Sequence, residues 1–113
     1  MVNRLEGATD QDLEQLTSLF RLLSDKTRLN ILMILSQGER NVTSLCEELG
    51  LPQPTVSHHL GLLRMSNVIA NRRAGKQVFY SMNGRIKSDG MSALDVSVER
   101  FEVKITPRAE NSF

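Results

Sequence analysis

The chain is poor in the residues that carry covalent cross-links and catalysis. It has one cysteine, Cys46, no tryptophan, four phenylalanines and a single tyrosine in 113 residues. A lone thiol excludes an internal disulfide framework and suits a reducing compartment. Long apolar runs are also missing. The longest strongly apolar stretch is Ile31 to Leu35, far short of the roughly 20 residues that span a bilayer. The first residues show no basic-then-apolar export pattern, so the cytoplasm is the expected compartment. No glycine-rich phosphate loop occurs, and no nucleophile has a base and an orienting partner in view, so neither enzyme activity nor a cofactor is expected. At this length, with 40% hydrophobic residues, residues 1–113 read as one domain whose modest core a dimer would supplement.

One further absence is local. Net charge is only +1, yet its distribution is uneven: residues 1–50 carry −3, residues 51–88 carry +6 with no Asp or Glu, and residues 89–113 carry −2. Solvated faces generally mix signs, so 38 residues without a carboxylate point to an anionic partner. Arg64, Arg72, Arg73, Lys76, Arg85 and Lys87 are the cations available to neutralise phosphates.

The basic segment begins inside a helix-turn-helix pattern over 42–65. Asn41 is suited to cap a helix in which Val42, Leu45, Cys46 and Leu49 fall on one stripe. Gly50 follows where a helix exit favours positive φ, and Pro52 and Pro54 suit the start of a second helix. There Val56, Leu60 and Leu63 recur at spacings of four and three, leaving Gln53, Thr55, Ser57, His58, Gly61 and Arg64 on the other surfaces. Such a helix, polar but free of acids, suits a DNA major groove. Gln53, Thr55, Ser57 and His58 are the expected base readers.

A β-hairpin over 68–82 follows, with Ala74-Gly75-Lys76 as its turn. Beside a reading helix it would form a basic wing in which Arg72, Arg73 and Lys76, together with Arg64, grip backbone or the adjacent minor groove.

Phe20 to Leu32 (FRLLSDKTRLNIL), Ser44 to Gly50 (SLCEELG), Gln53 to Leu60 (QPTVSHHL) and Arg73 to Tyr80 (RAGKQVFY) together resemble the ArsR/SmtB family of winged-helix bacterial repressors, over about residues 12–83. The resemblance implies a mainly α fold with a small β-hairpin, a homodimer, and repression by occupying double-stranded operator DNA. It also raises the question of metals. The founding arsenic and zinc sensors carry thiols at positions that fall on Asn41 and Thr43 here. Cys46 matches a third cysteine of arsenic sensors, but zinc needs about four ligands and soft arsenic sites two or three thiolates. A buried free cysteine acts as a small hydrophobe, and that packing role is the expectation for Cys46. His58 and His59 are adjacent on a helix, about 100° apart, and cannot converge on one ion. The family's other site uses histidines on a long last helix, and no histidine follows His59. No metal site is expected, and the effector is left open.

The family also implies a long last helix pairing across the dimer with the first. Here Gly84 and Gly90 interrupt the region 84–113, and Leu94, Val96, Val98 and then Phe101, Val103, Ile105 alternate with polar residues. Alternation predicts a strand from about Val96 to Ile105, with a bulge or break at the phase slip, in place of that helix. A short helix at 84–92 followed by a strand that joins the wing or the dimer partner is one arrangement; an extended tail is the other.

The remainder reads as scaffold. Thr9 and Asp12 suit a capping box, Leu13, Leu16, Leu19, Phe20 and Leu23 make a helical stripe, and Ser24 is placed to cap the next, central helix. Phe20, Leu22 and Leu23 are expected in the core or the dimer contact, and Met33, Met65 and Met82 as core filler. Asp25, Lys26 and Arg28 are expected in capping and surface pairs, with Arg28 also within reach of phosphate. Two functions fit: a homodimeric DNA-binding repressor without the known metal sites, and a winged-helix module that binds protein through the tail strand.

Overall fold

A computed structural model describes residues 7–88, 94–98 and 100–108. Helix α1 spans Asp10–Leu23 and opens with the expected capping box: the Asp12 N–H donates to Thr9 Oγ1 at 3.1 Å, and the Thr9 N–H donates to Asp12 Oδ2 at 2.9 Å. Helix α2, Lys26–Leu35, is capped differently from the expectation. Asp25, in extended backbone, accepts the Arg28 N–H at 3.0 Å, while the Ser24 hydroxyl turns back to donate to the Arg21 carbonyl. A carboxylate at the helix N-terminus answers the dipole better than a hydroxyl, and that hydrogen bond holds the Asp25 carboxyl below its usual range.

Helix α2 is central. Ile31, Leu32 and Leu35 are buried, and they meet Leu19 and Leu23 of α1 in one core. Strand β1, Arg40–Asn41, leads into helix α3, Val42–Leu49. Asn41 caps α3 by accepting the Ser44 N–H at 2.7 Å, and Gly50 leaves it with φ 67°, the left-handed value that favours glycine. Helix α4, Gln53–Met65, packs Val56, Leu60 and Leu63 into the same core. Asn67 ends the turn after it with φ 60°.

Strands β2, Ile69–Ala74, and β3, Gln77–Met82, pair antiparallel in the register Ile69 with Met82 through Ala74 with Gln77. The two-residue turn Gly75-Lys76 has glycine at positive φ in its first position, as a II′ hairpin requires. β1 adds to the far edge of β3, giving the order β1-β3-β2.

The tail departs from expectation in three ways. Within 84–92, residues Ile86–Ser88 form strand β4 rather than part of a helix, and residues 89–93 lie outside the described ones. The single strand expected from Val96 to Ile105 is two, β5 (Leu94–Val98) and β6 (Phe101–Ile105). The phase slip after Val98 is the reversal between them, since a two-residue connection restores pairing of Val98 with Phe101. Nor does the tail extend the wing: β4-β5-β6 is a separate antiparallel sheet. Ile86, Leu94 and Val96 are fully buried in the common core, so the tail contributes strands rather than a helix to it.

Met65, expected as core filler, lies outside the core at 82% exposed. Phe20, expected in the core or the dimer contact, is 52% exposed and so is not a core residue of the single chain. Met65 stands two residues past buried Leu63, about 200° around the helix, and so faces away from α2. Met33, Met82, Leu22 and Cys46 are half-buried against the core, which gives Cys46 its packing role.

Candidate nucleic-acid interface

The polar surface of α4 is held out by its own core. With Val56, Leu60 and Leu63 buried, the helical turn of about 100° per residue sends His58, Gly61 and Met65 directly outward. Gln53, Ser57 and Arg64 flank that line on one side, and Thr55 on the other. All these residues are exposed. The predicted readers therefore form a broad arc rather than a single row. Sequence reasoning missed Met65 as part of this arc; its angular position was the signal available.

His59 behaves as a packed residue. Arg28 Nη1 lies 3.3 Å from His59 Nδ1, and Asp25 Oδ2 lies 3.8 Å from the same nitrogen. Arg28 Nε donates to the Leu22 carbonyl at 2.6 Å. Arg28 is thus committed to joining α1, α2 and α4 rather than to reaching phosphate. The rings of His58 and His59 meet edge to face at 5.4 Å between centroids, leaving His58 the outward member.

The wing cations divide into held and open ones. Arg72 makes a bidentate pair with Glu39, Nε to Oε2 at 2.9 Å and Nη2 to Oε1 at 2.7 Å, and its guanidinium lies 4.7 Å above the Phe79 ring. Glu39 therefore stands below the ordinary carboxyl range through its hydrogen bond from Arg72, and Arg72 above its own through the same bond. Because the folded carboxyl is depressed, the contribution of this pair is present above the ordinary carboxylate range and is lost as pH falls through the lowered value. Arg64, Arg73 and Lys76 are exposed and form no ion pair among the described residues.

Arg85, counted above among the phosphate cations, is used internally. Its Nη1 donates to the Ser66 carbonyl at 2.7 Å and its Nε to the Ser97 carbonyl at 3.3 Å. The side chain of Lys87 lies outside the described ones. At the two positions where the founding sensors carry thiols, Asn41 is the α3 cap and Thr43 is exposed. Among the described residues no three His, Cys, Asp or Glu side chains gather as a metal-binding group, and no helix is long and apolar enough to cross a membrane.

Known proteins resemble this chain in sequence and in fold over about two thirds of its length. A family model described as bacterial regulatory protein, arsR family, matches residues 25–70. The arsenical resistance operon repressor of Escherichia coli K12 is 41% identical over 78 residues, 68% of this chain and 67% of that protein. The transcriptional repressor SdpR of Bacillus subtilis 168 is 31% identical over 77 residues, 68% of this chain and 86% of that one. A homodimeric winged helix-turn-helix DNA-binding domain from Mycobacterium bovis, solved by NMR, superposes with a TM-score of 0.61 at 30% identity, covering 71% of this chain and 77% of that one. The order of helices, the outward arc of α4 and the basic hairpin beside it agree with these likenesses: the chain belongs to the arsR family of bacterial regulatory proteins and is a DNA-binding transcriptional regulator with a winged helix-turn-helix.

Proposed function

We propose that the chain is a homodimeric repressor that occupies its operator without using the metal sites of the founding sensors. Gln53, Thr55, Ser57 and His58 read base edges in the major groove, while Arg64, Arg72, Arg73 and Lys76 fix the duplex by its phosphates. The observation that carries this reading is the exposed arc of α4, continuous in sequence with the wing through a segment that holds no carboxylate. Catalysis, a cofactor and a resident metal have no part in it, and the cytoplasm is the compartment it needs.

The test is a gel-shift titration on the DNA upstream of the chain's own gene at several salt concentrations. Binding is expected to be sequence-specific and to weaken steeply with salt. Arg73→Ala should weaken all sequences alike and reduce the salt slope by about 1, whereas changes at Ser57 or His58 should alter the preferred sequence. Binding that ignores salt, or no binding to any DNA, overturns the reading, and release by micromolar zinc or arsenite overturns its metal-free part.

The Glu39 pair adds a second expectation. Arg72 must exchange a carboxylate for a phosphate to act on DNA, so Glu39→Gln should tighten non-specific binding by about twofold to fivefold, the range of an exposed pair. Unchanged or weaker binding in the same titration would show that Arg72 stays on β1's side of the wing as a structural residue.

A further inference from the structure

Strand β6 is the last strand of the C-terminal sheet, so its outer edge has no neighbour among the described residues. Its residues Phe101-Glu102-Val103-Lys104-Ile105 alternate half-buried and exposed. An antiparallel pair with a second copy of β6, about a two-fold axis through Val103, sets Phe101 opposite the partner's Ile105, Val103 opposite itself, and Glu102 opposite the partner's Lys104, the last pair occurring twice. Centring the axis on Glu102 or on Lys104 instead places like charges directly opposite. A shift by one residue sets Glu102 against Val103 and turns the apolar set to the wrong face. Of these registers the one centred on Val103 satisfies both charge and burial, and it sets both charged residues of the strand opposite their counterions.

The surroundings support that register. Lys104 Nζ lies 3.8 Å from Asp95 Oδ1 on the neighbouring strand, yet its side chain remains 66% exposed, open to a second carboxylate from across the edge. Val103 and Ile105 already pack against the core, and a paired strand covers the part of them and of Phe101 still in contact with water. A bare five-residue edge is otherwise a template for unspecific association. The region matched by the family model ends at residue 70, so this edge belongs to the part of the chain beyond it.

We propose that β6 is the dimerisation edge of this protein, and that two copies join their C-terminal sheets into one six-stranded sheet through the Glu102–Lys104 pairs. The inference rests on the homodimer of the preceding section and supplies its interface.

Sedimentation equilibrium of the full chain tests it. Glu102→Lys and Lys104→Glu are each expected to weaken self-association by about tenfold, because each puts two like-charged pairs across the axis. An equimolar mixture of the two variants should regain the parental association as a heterodimer, and the double variant E102K/K104E should regain it as a homodimer. Singles that associate like the parent, or a mixture that does not recover, overturn the proposal. Should either single lose its native circular dichroism, Glu102→Cys and Lys104→Cys chains, each in a Cys46→Ser background, are oxidised together. Preferential heterodimer cross-linking supports the edge, and its absence overturns it. A parent that stays monomeric while binding operator removes the dimer and this interface but leaves DNA binding intact; a parent that obeys the charge rule yet binds no DNA leaves the interface standing and removes the repressor reading.

Discussion

Leu32→Ala is expected to lower the unfolding free energy by about 3 kcal/mol, the largest stability loss we anticipate from a single truncation. Leu32 is fully buried in the helix around which the others pack. Truncation forfeits the transfer energy of its removed carbons and leaves a cavity the neighbours only partly close, and such changes cost about 2–5 kcal/mol. A domain of this size has roughly 5–15 kcal/mol in total, so the variant should remain folded at 25 °C and melt about 10–20 °C lower. Urea unfolding at one fixed protein concentration measures it, since self-association would itself raise apparent stability. Met65→Ala is the control: a side chain 82% exposed should change stability by less than about 0.5 kcal/mol. Equal losses in the two variants would mean that the core is not where the structure puts it.

Ser57→Glu is expected to weaken operator binding by about 100-fold with no change in thermal stability. Ser57 is exposed on the flank of α4 that also carries Gln53 and Arg64. A carboxylate there would be pressed against phosphates and base acceptors, and like-charge contacts cost several kcal/mol, of which about 2.7 kcal/mol suffices for the 100-fold loss. Fluorescence anisotropy with labelled operator measures the affinity, and a melt of the same sample checks the fold. Affinity within threefold of the parent would place the DNA on another face.

Much of this site was legible because its determinants are local. The Thr9–Asp12 box, the Asn41 cap, the left-handed Gly50 and the Gly75 turn each join residues at most a few positions apart, and each follows from backbone chemistry. What escaped depends on distant partners. Glu39 claims Arg72 across 33 positions and His59 takes up Arg28 across 31, and neither choice is written in the spacing of either residue. Arg85 looked like one more cation of a basic stripe until two backbone carbonyls fixed it. The tail was read halfway: alternation identified strand, while the reversal between Val98 and Phe101 resembled a bulge because both break the period by one residue. Met65 escapes for a simpler reason: its side chain is apolar, but its angle on α4 sets it opposite the buried Leu63.

The Arg85 side chain has a mechanical meaning. By holding the Ser66 carbonyl just past α4 and the Ser97 carbonyl on β5, it acts as a tie rod between the helix that meets the double helix and the sheet at the chain's other end. A displacement of β5 relative to α4 strains these two hydrogen bonds. The end of the helix and the tail sheet therefore share one side chain, and a shift of either is felt first at these two hydrogen bonds.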